Sequence, residues 1–159
     1  MALALTVSAQ LKVGTQFGGA NFFGFSAQLG YEMTLSDEKD QSLELSAGIG
    51  LILPPYGPNS IVNAQVNYYW NKWGVGLESG WHEKKPFYQE DVWSDGFANL
   101  LLYPKLIYQL IKKEHLFINL SAGPYFAFDK RAIDSSSTEK LVFEGDVIPG
   151  IGINLGYRL

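Results

Sequence analysis

Apolar and polar residues alternate one for one along almost the whole chain, and a period of two has a single structural translation, the β-strand. From residue 3 to 13, "LALTVSAQLKV" is apolar at every odd position (Leu3, Leu5, Val7, Ala9, Leu11, Val13) and polar at nearly every even one. The alternation resumes in "FFGFSAQLGYEMTL" (22–35), "LELSAGIGLIL" (43–53), "VNAQVNYYW" (62–70) and "WGVGLESGW" (73–81). It returns in "FANLLLYPKLIYQLI" (97–111), "LFINLSAGPYFAF" (116–128) and the last segment, 141–159. Between these lie turn-like breaks: "FGGAN", "SDEKDQ", "PPYGPNS", the pair "NK", residues 84–96, "KKEH" and "DKRAIDSSSTEK". Eight strands with no helix between them predict antiparallel neighbours joined by hairpins. Segment 97–111 is dense enough in apolar residues to compete as a helix, but Pro104 counts more heavily against a helix interior than against a strand.

Alternation alone does not say which face meets water. In a soluble sheet the apolar face is buried, whereas in a membrane barrel it faces lipid and the polar face fills the middle. Charge falls on the polar face almost throughout: Lys12, Glu32, Glu44, Glu78, Lys105, Glu144, Asp146 and Arg158 lie there, and only Glu83, at a strand end, shares parity with the apolar face. Twelve of the 17 glycines lie on the polar face too. Glycine offers water no side chain, so this concentration needs a steric cause, which the narrow interior of an eight-stranded barrel supplies. Connections three, five and seven are longer than two, four and six, and with connection one, "FGGAN", they fall at one end, the usual arrangement of outer-membrane barrels. Tyr31, Trp70, Trp73, Trp81, Tyr108, Phe126, Phe128 and Tyr157 lie on the apolar face, many near strand ends where interfacial girdles belong. The expected fold is all-β, an eight-stranded antiparallel up-and-down transmembrane β-barrel forming one domain over residues 1–159.

Composition narrows the partners. With a net charge of −4 and no basic patch, nucleic acid is not expected. The absence of cysteine removes a disulfide framework, a thiolate metal site and a cysteine nucleophile together. The charge-free runs 13–31 and 45–71 are long enough for membrane helices, but "FGGAN" and "PPYGPNS" interrupt them and no transmembrane helix is expected. The start "MALALTVSAQ" lacks a charged n-region and reads as the first strand of a mature chain.

In this architecture the chain resembles the small eight-stranded outer-membrane barrels of the OmpA and OmpX type, over its whole length. The ending "GINLGYRL" is similar to the terminal strand signal read by the barrel assembly machinery, with Ile151, Ile153, Leu155 and Tyr157 in register; that family usually ends in Phe, and this chain ends in Leu159. The resemblance implies an outer-membrane location, a lipid bilayer or detergent as the surrounding medium, the assembly machinery as a partner, a monomer, and no cofactor. It also implies exposed loops at one end with a structural, adhesive or recognition role.

Some members of the wider superfamily are lipid A-modifying enzymes, which require a nucleophile and base within hydrogen-bond reach. Of the two histidines, His115 falls in the turn "KKEH", and His82 has its nearest serine, Ser79, on the opposite strand face. No catalytic, metal-binding or cofactor-binding residue is therefore assigned. The polar face places Lys12, Glu32, Glu44, Glu78, Lys105 and Arg158 in one lumen, with Glu78 and Lys105 able to pair across a hairpin; such charges must be mutually satisfied, and they read as a polar plug rather than a large pore. In "KKPFYQEDVWSDG" the aromatics Phe87, Tyr88 and Trp93 are candidate contact residues or rest on lipid headgroups. "DSSSTEK" reads as a loop tip. The alternatives are a soluble lipocalin-like carrier with its apolar face inward, a lipid A-modifying enzyme, and an engineered barrel.

Overall fold

The structure, a computed structural model, describes residues 9–36, 40–52, 59–83, 99–132 and 139–159, with residues 59, 99, 129–132 and 139–146 described by backbone alone. Eight strands follow in order: β1 (Ala9–Gly18), β2 (Gly24–Ser36), β3 (Gln41–Ile52), β4 (Asn59–Trp70), β5 (Trp73–His82), β6 (Asn99–Lys112), β7 (Leu116–Ala132) and β8 (Glu139–Arg158). Each pairs antiparallel with its sequence neighbours, and β1 pairs with β8, closing an up-and-down barrel. The dense segment is a strand over its described residues, Asn99–Lys112, the form against which Pro104 counts less. Its proline still leaves a mark. The β6–β7 pairing lapses between Leu102↔Phe126 and Leu106↔Ala122, where the register sets Pro104 opposite Pro124, and neither residue has an N–H for the ladder. Pro124 in turn stands opposite Pro149 on β8.

Two expected boundaries differ. The first connection, read as "FGGAN" from residue 17, starts later: β1 runs to Gly18, with Phe17 still paired to Phe25. "DKRAIDSSSTEK", read as a loop, is carried by the β7–β8 ladder as far as Ala132↔Glu139. Its polar residues break the alternation without breaking the hydrogen bonding, because a hairpin that outruns its neighbours has no apolar face to keep.

The short connections tie one end of the barrel together. Asn71, at φ 54°, turns β4 into β5 through Trp70↔Trp73 and donates its N–H to Asp40 O (3.0 Å) on the adjacent turn. The Gln109 N–H donates to Lys72 O (2.8 Å), and Lys112 forms an ion pair with Asp40.

Burial follows the pleat strictly. On β2, Gly24, Ser26, Gln28, Gly30 and Glu32 are buried while Ala27, Leu29 and Tyr31 are exposed; on β4 and β6 the inward set is Asn63, Gln65, Asn67, Tyr69 and Leu101, Tyr103, Lys105, Ile107, Gln109. The side chains that fill the molecule are thus mostly the polar ones. Apolar residues share the interior: Ala20, Tyr103 and Tyr125 form a cluster with Phe22 and Ile148, while Tyr69, Ile107 and Phe117 are buried at other levels.

Candidate functional site in the barrel lumen

The lumen is narrow because its glycines face neighbouring chain. A Cβ at Gly14 would lie 2.6 Å from Leu155 O, one at Gly74 2.7 Å from the Tyr69 ring, and one at Gly48 2.7 Å from Gln28 Nε2. Each leaves the room that a backbone or side chain of the adjacent strand takes up.

All six charged residues expected in the lumen are buried there, and they form two groups. Near the short turns, Lys12 lies between two carboxylates, bonded to Glu44 and 3.1 Å from Glu32 Oε2. Arg158 donates from Nε to the same Glu32 oxygen (3.1 Å) and from Nη1 to Lys113 O (2.9 Å). Ser42 donates to Glu32 Oε1 (2.8 Å), and the Tyr69 hydroxyl donates to Glu44 Oε2 (3.3 Å). The Phe117 ring backs both cations, with Lys12 Nζ 4.1 Å and the Arg158 guanidinium 5.4 Å from its centroid.

Higher in the barrel, Lys105 Nζ donates to Glu78 Oε2 (2.7 Å) and to Gln65. The pair is diagonal across the β5–β6 hairpin, since Glu78 faces Tyr103 and Lys105 faces Gly76 in register. The other Glu78 oxygen accepts from Gln16 Nε2 and from the Ala20 N–H (3.0 Å). Asn67 joins the two groups, donating to Glu44 Oε1 (3.1 Å) and Gln65 Oε1 (3.2 Å). One connected network thus runs from Arg158 to Ala20, with three acids balanced by three bases.

Ala20 belongs to a feature that alternation did not announce. The first connection, expected among four exposed loops, turns inward: Gly19–Asn21 form a single 3₁₀ turn inside the barrel, and all three residues are buried. Gly18 (φ 67°) and Gly19 (φ 62°) permit the reversal, since positive φ is costly with a Cβ, and one at Gly19 would also press on Gln16 and Glu78. Asn21 accepts from Asn63 Nδ2 (2.6 Å) and donates to Ser26 Oγ (2.9 Å), while Gln28 donates to Asn63 Oδ1 (2.9 Å). The glycine pair in "FGGAN" was the available signal; a carboxylate waiting in the lumen for the Ala20 N–H gives it direction.

His82 is fully buried beside this turn, its Nε2 2.9 Å from Ala20 O, whereas Ser79 faces the other side of β5 and donates to Ala64 O (3.2 Å). The two do not meet. His115 is exposed at its turn, stacked on Tyr157 at 5.2 Å and 3.3 Å from Arg158 O through Nδ1. Ile153, Leu155, Tyr157 and Leu159 face outward and are exposed, the first three on the strand that closes against β1. Phe87, Tyr88 and Trp93 lie outside the described residues, as do the side chains of Glu144 and Asp146.

What this arrangement does chemically is neutralise and fill. Each carboxylate is met by a cation and by further donors, so the lumen holds its charges with strong hydrogen bonds where water would otherwise stand. The chain matches no family model, no curated protein and no solved structure.

Proposed function

We propose that the chain is an integral outer-membrane β-barrel protein, closed to large solutes by its own interior, with a structural or adhesive role carried by the connections at its long-loop end. The observation that supports this reading is the inversion of polarity across the wall. Outward Ile151, Ile49 and Leu29 are 76%, 70% and 58% exposed, while inward Glu78, Glu44 and Lys12 are at most 3% exposed. Exposed apolar residues recur on β1 to β8, so the outer face is a continuous apolar belt rather than a scatter of single residues. A soluble monomer tolerates contiguous patches of only a few hundred Å², whereas a bilayer requires such a belt.

Aromatic residues edge the belt at the short-turn end, where Trp73 packs on Tyr108 (4.9 Å) and Tyr68 on Trp70 (5.8 Å), with Tyr31 and Tyr157 exposed near them. Rings with a polar tip favour the membrane–water interface. A soluble carrier of an apolar ligand needs the reverse arrangement, with charge outside and hydrocarbon within.

The test is refolding with and without amphiphile. The chain is expected to aggregate in plain buffer, to fold to β-structure in detergent or phospholipid vesicles, and to migrate differently on a denaturing gel when unboiled. A monodisperse, detergent-free monomer with β circular dichroism overturns the reading.

A further inference from the structure

Pairing between β1 and β8 ends at Gly18↔Gly152, because the chain leaves β1 there for the inward turn. β8 continues to Glu139 alongside β7 only, so the wall has a slot between the tip of β1 and the middle of β8. Phe17, Ile151 and Ile153 form its outer lip, and the Tyr125 and Phe22 rings, 6.1 Å apart, form its inner end. Between them the lining is glycine: Gly18, Gly24, Gly150 and Gly152. Among the described residues, no charged or hydrogen-bonding side chain other than the Tyr125 phenol lines the slot, whose volume is about 350 Å³, within the range of about 300–1,000 Å³ common for small-molecule sites.

Resting on the membrane reading above, we propose that this slot is a binding site for one hydrocarbon chain of a membrane lipid, inserted through the wall from the apolar belt toward Tyr125. The belt and the slot are one surface: Phe17, Ile151 and Ile153 belong to both. An apolar cavity of this kind stays dry and takes apolar guests. A β-strand from a second copy is a poorer occupant, since Pro149 sits on this stretch of β8 and has no N–H to offer a ladder. The glycines make the passage. A Cβ at Gly150 would strike the Tyr125 ring, and one at Gly152 would lie 2.7 Å from Ser121 Oγ.

The experiment uses the full chain with a diazirine-bearing phenylalanine analogue in place of Tyr125, reconstituted in dimyristoylphosphatidylcholine vesicles, irradiated and analysed by mass spectrometry. Leu29, outward on β2, and Phe117, inward near the short turns, receive the same probe. Phospholipid adducts at positions 125 and 29, with at least tenfold less at 117, support the slot. Adducts at 29 but only water or chain adducts at 125 overturn it and leave the membrane reading intact. Equal lipid adducts at 117 and 125 overturn it as well, since lipid would then enter the lumen without selection. Loss of lipid adducts at 29 overturns the membrane reading itself. If the Tyr125 variant does not show the folded gel mobility, Phe22, on the same inner wall, takes the probe and the same outcomes apply.

Discussion

Single residues carry the lumen's stability through pairing and through absence of bulk. Glu78 is fully buried and, among the described residues, is held by Lys105, Gln16 and the Ala20 N–H. Removing one partner of a buried ion pair costs about 3–5 kcal/mol, because the other charge stays behind unpaired. Lys105→Met is therefore expected to lower the unfolding free energy of the detergent-folded protein by that amount, read as a lower urea midpoint, and adding Glu78→Gln in the same chain should recover part of it. An unchanged midpoint in the single variant would show that the pair is not buried as described. Glycine offers a contrast between the two faces of one strand. At Gly48 a Cβ would meet Gln28 and Asn63 within 2.8 Å, while neighbouring Ala47 is exposed. Gly48→Leu should cost at least about 1–3 kcal/mol, as overpacked cores do, whereas Ala47→Leu should stay within about 0.5 kcal/mol, as open surface sites do. Equal effects would remove the case for a crowded interior.

At the scale of elements, the strands are two-faced and the first turn is a plug. Leu29 on β2 is exposed while Gln28 beside it is buried and bonded to Asn63. The chain has no cysteine, so single Cys variants can carry a nitroxide without background labelling. In reconstituted vesicles, a label at 29 should relax readily with dissolved oxygen, which concentrates in lipid, and poorly with a water-soluble nickel reagent; a label at 28 should respond weakly to oxygen. Leu29→Arg is expected to cost about 2–4 kcal/mol if the site lies near the bilayer midplane. Stronger oxygen relaxation at 28, or a neutral arginine, would reverse the facing. The turn Gly19–Asn21 was not legible in this way, because three residues carry no periodicity; its course is set by Glu78, Asn63 and Ser26 on distant strands.

For the whole molecule, the question is whether anything passes through it. The network from Arg158 to Ala20 crosses the lumen, and the inward turn packs above it against Tyr103 and Tyr125. Eight strands enclose a space that side chains fill. Planar bilayers containing the protein are expected to show no large, stable porin-like step; steady conductance of that size would mean that the network opens. The sequence alone was enough to determine the strand count, the antiparallel order and the inward parity of Lys12, Glu32, Glu44, Glu78, Lys105 and Arg158, because the pleat converts odd and even positions directly into two faces. The Glu78–Lys105 pair was legible too, because one hairpin joins its strands, but tertiary structure decided how the other charges meet. Lys12 joins Glu32 and Glu44 from two other strands, and Asn67 bridges the two groups, because barrel closure and strand stagger set the levels at which inward side chains face one another. It also decided that the first connection folds inward and that β1 stops pairing with β8 at Gly152 while β7 continues, since both depend on contacts between residues far apart in the chain, where a period of two carries no information.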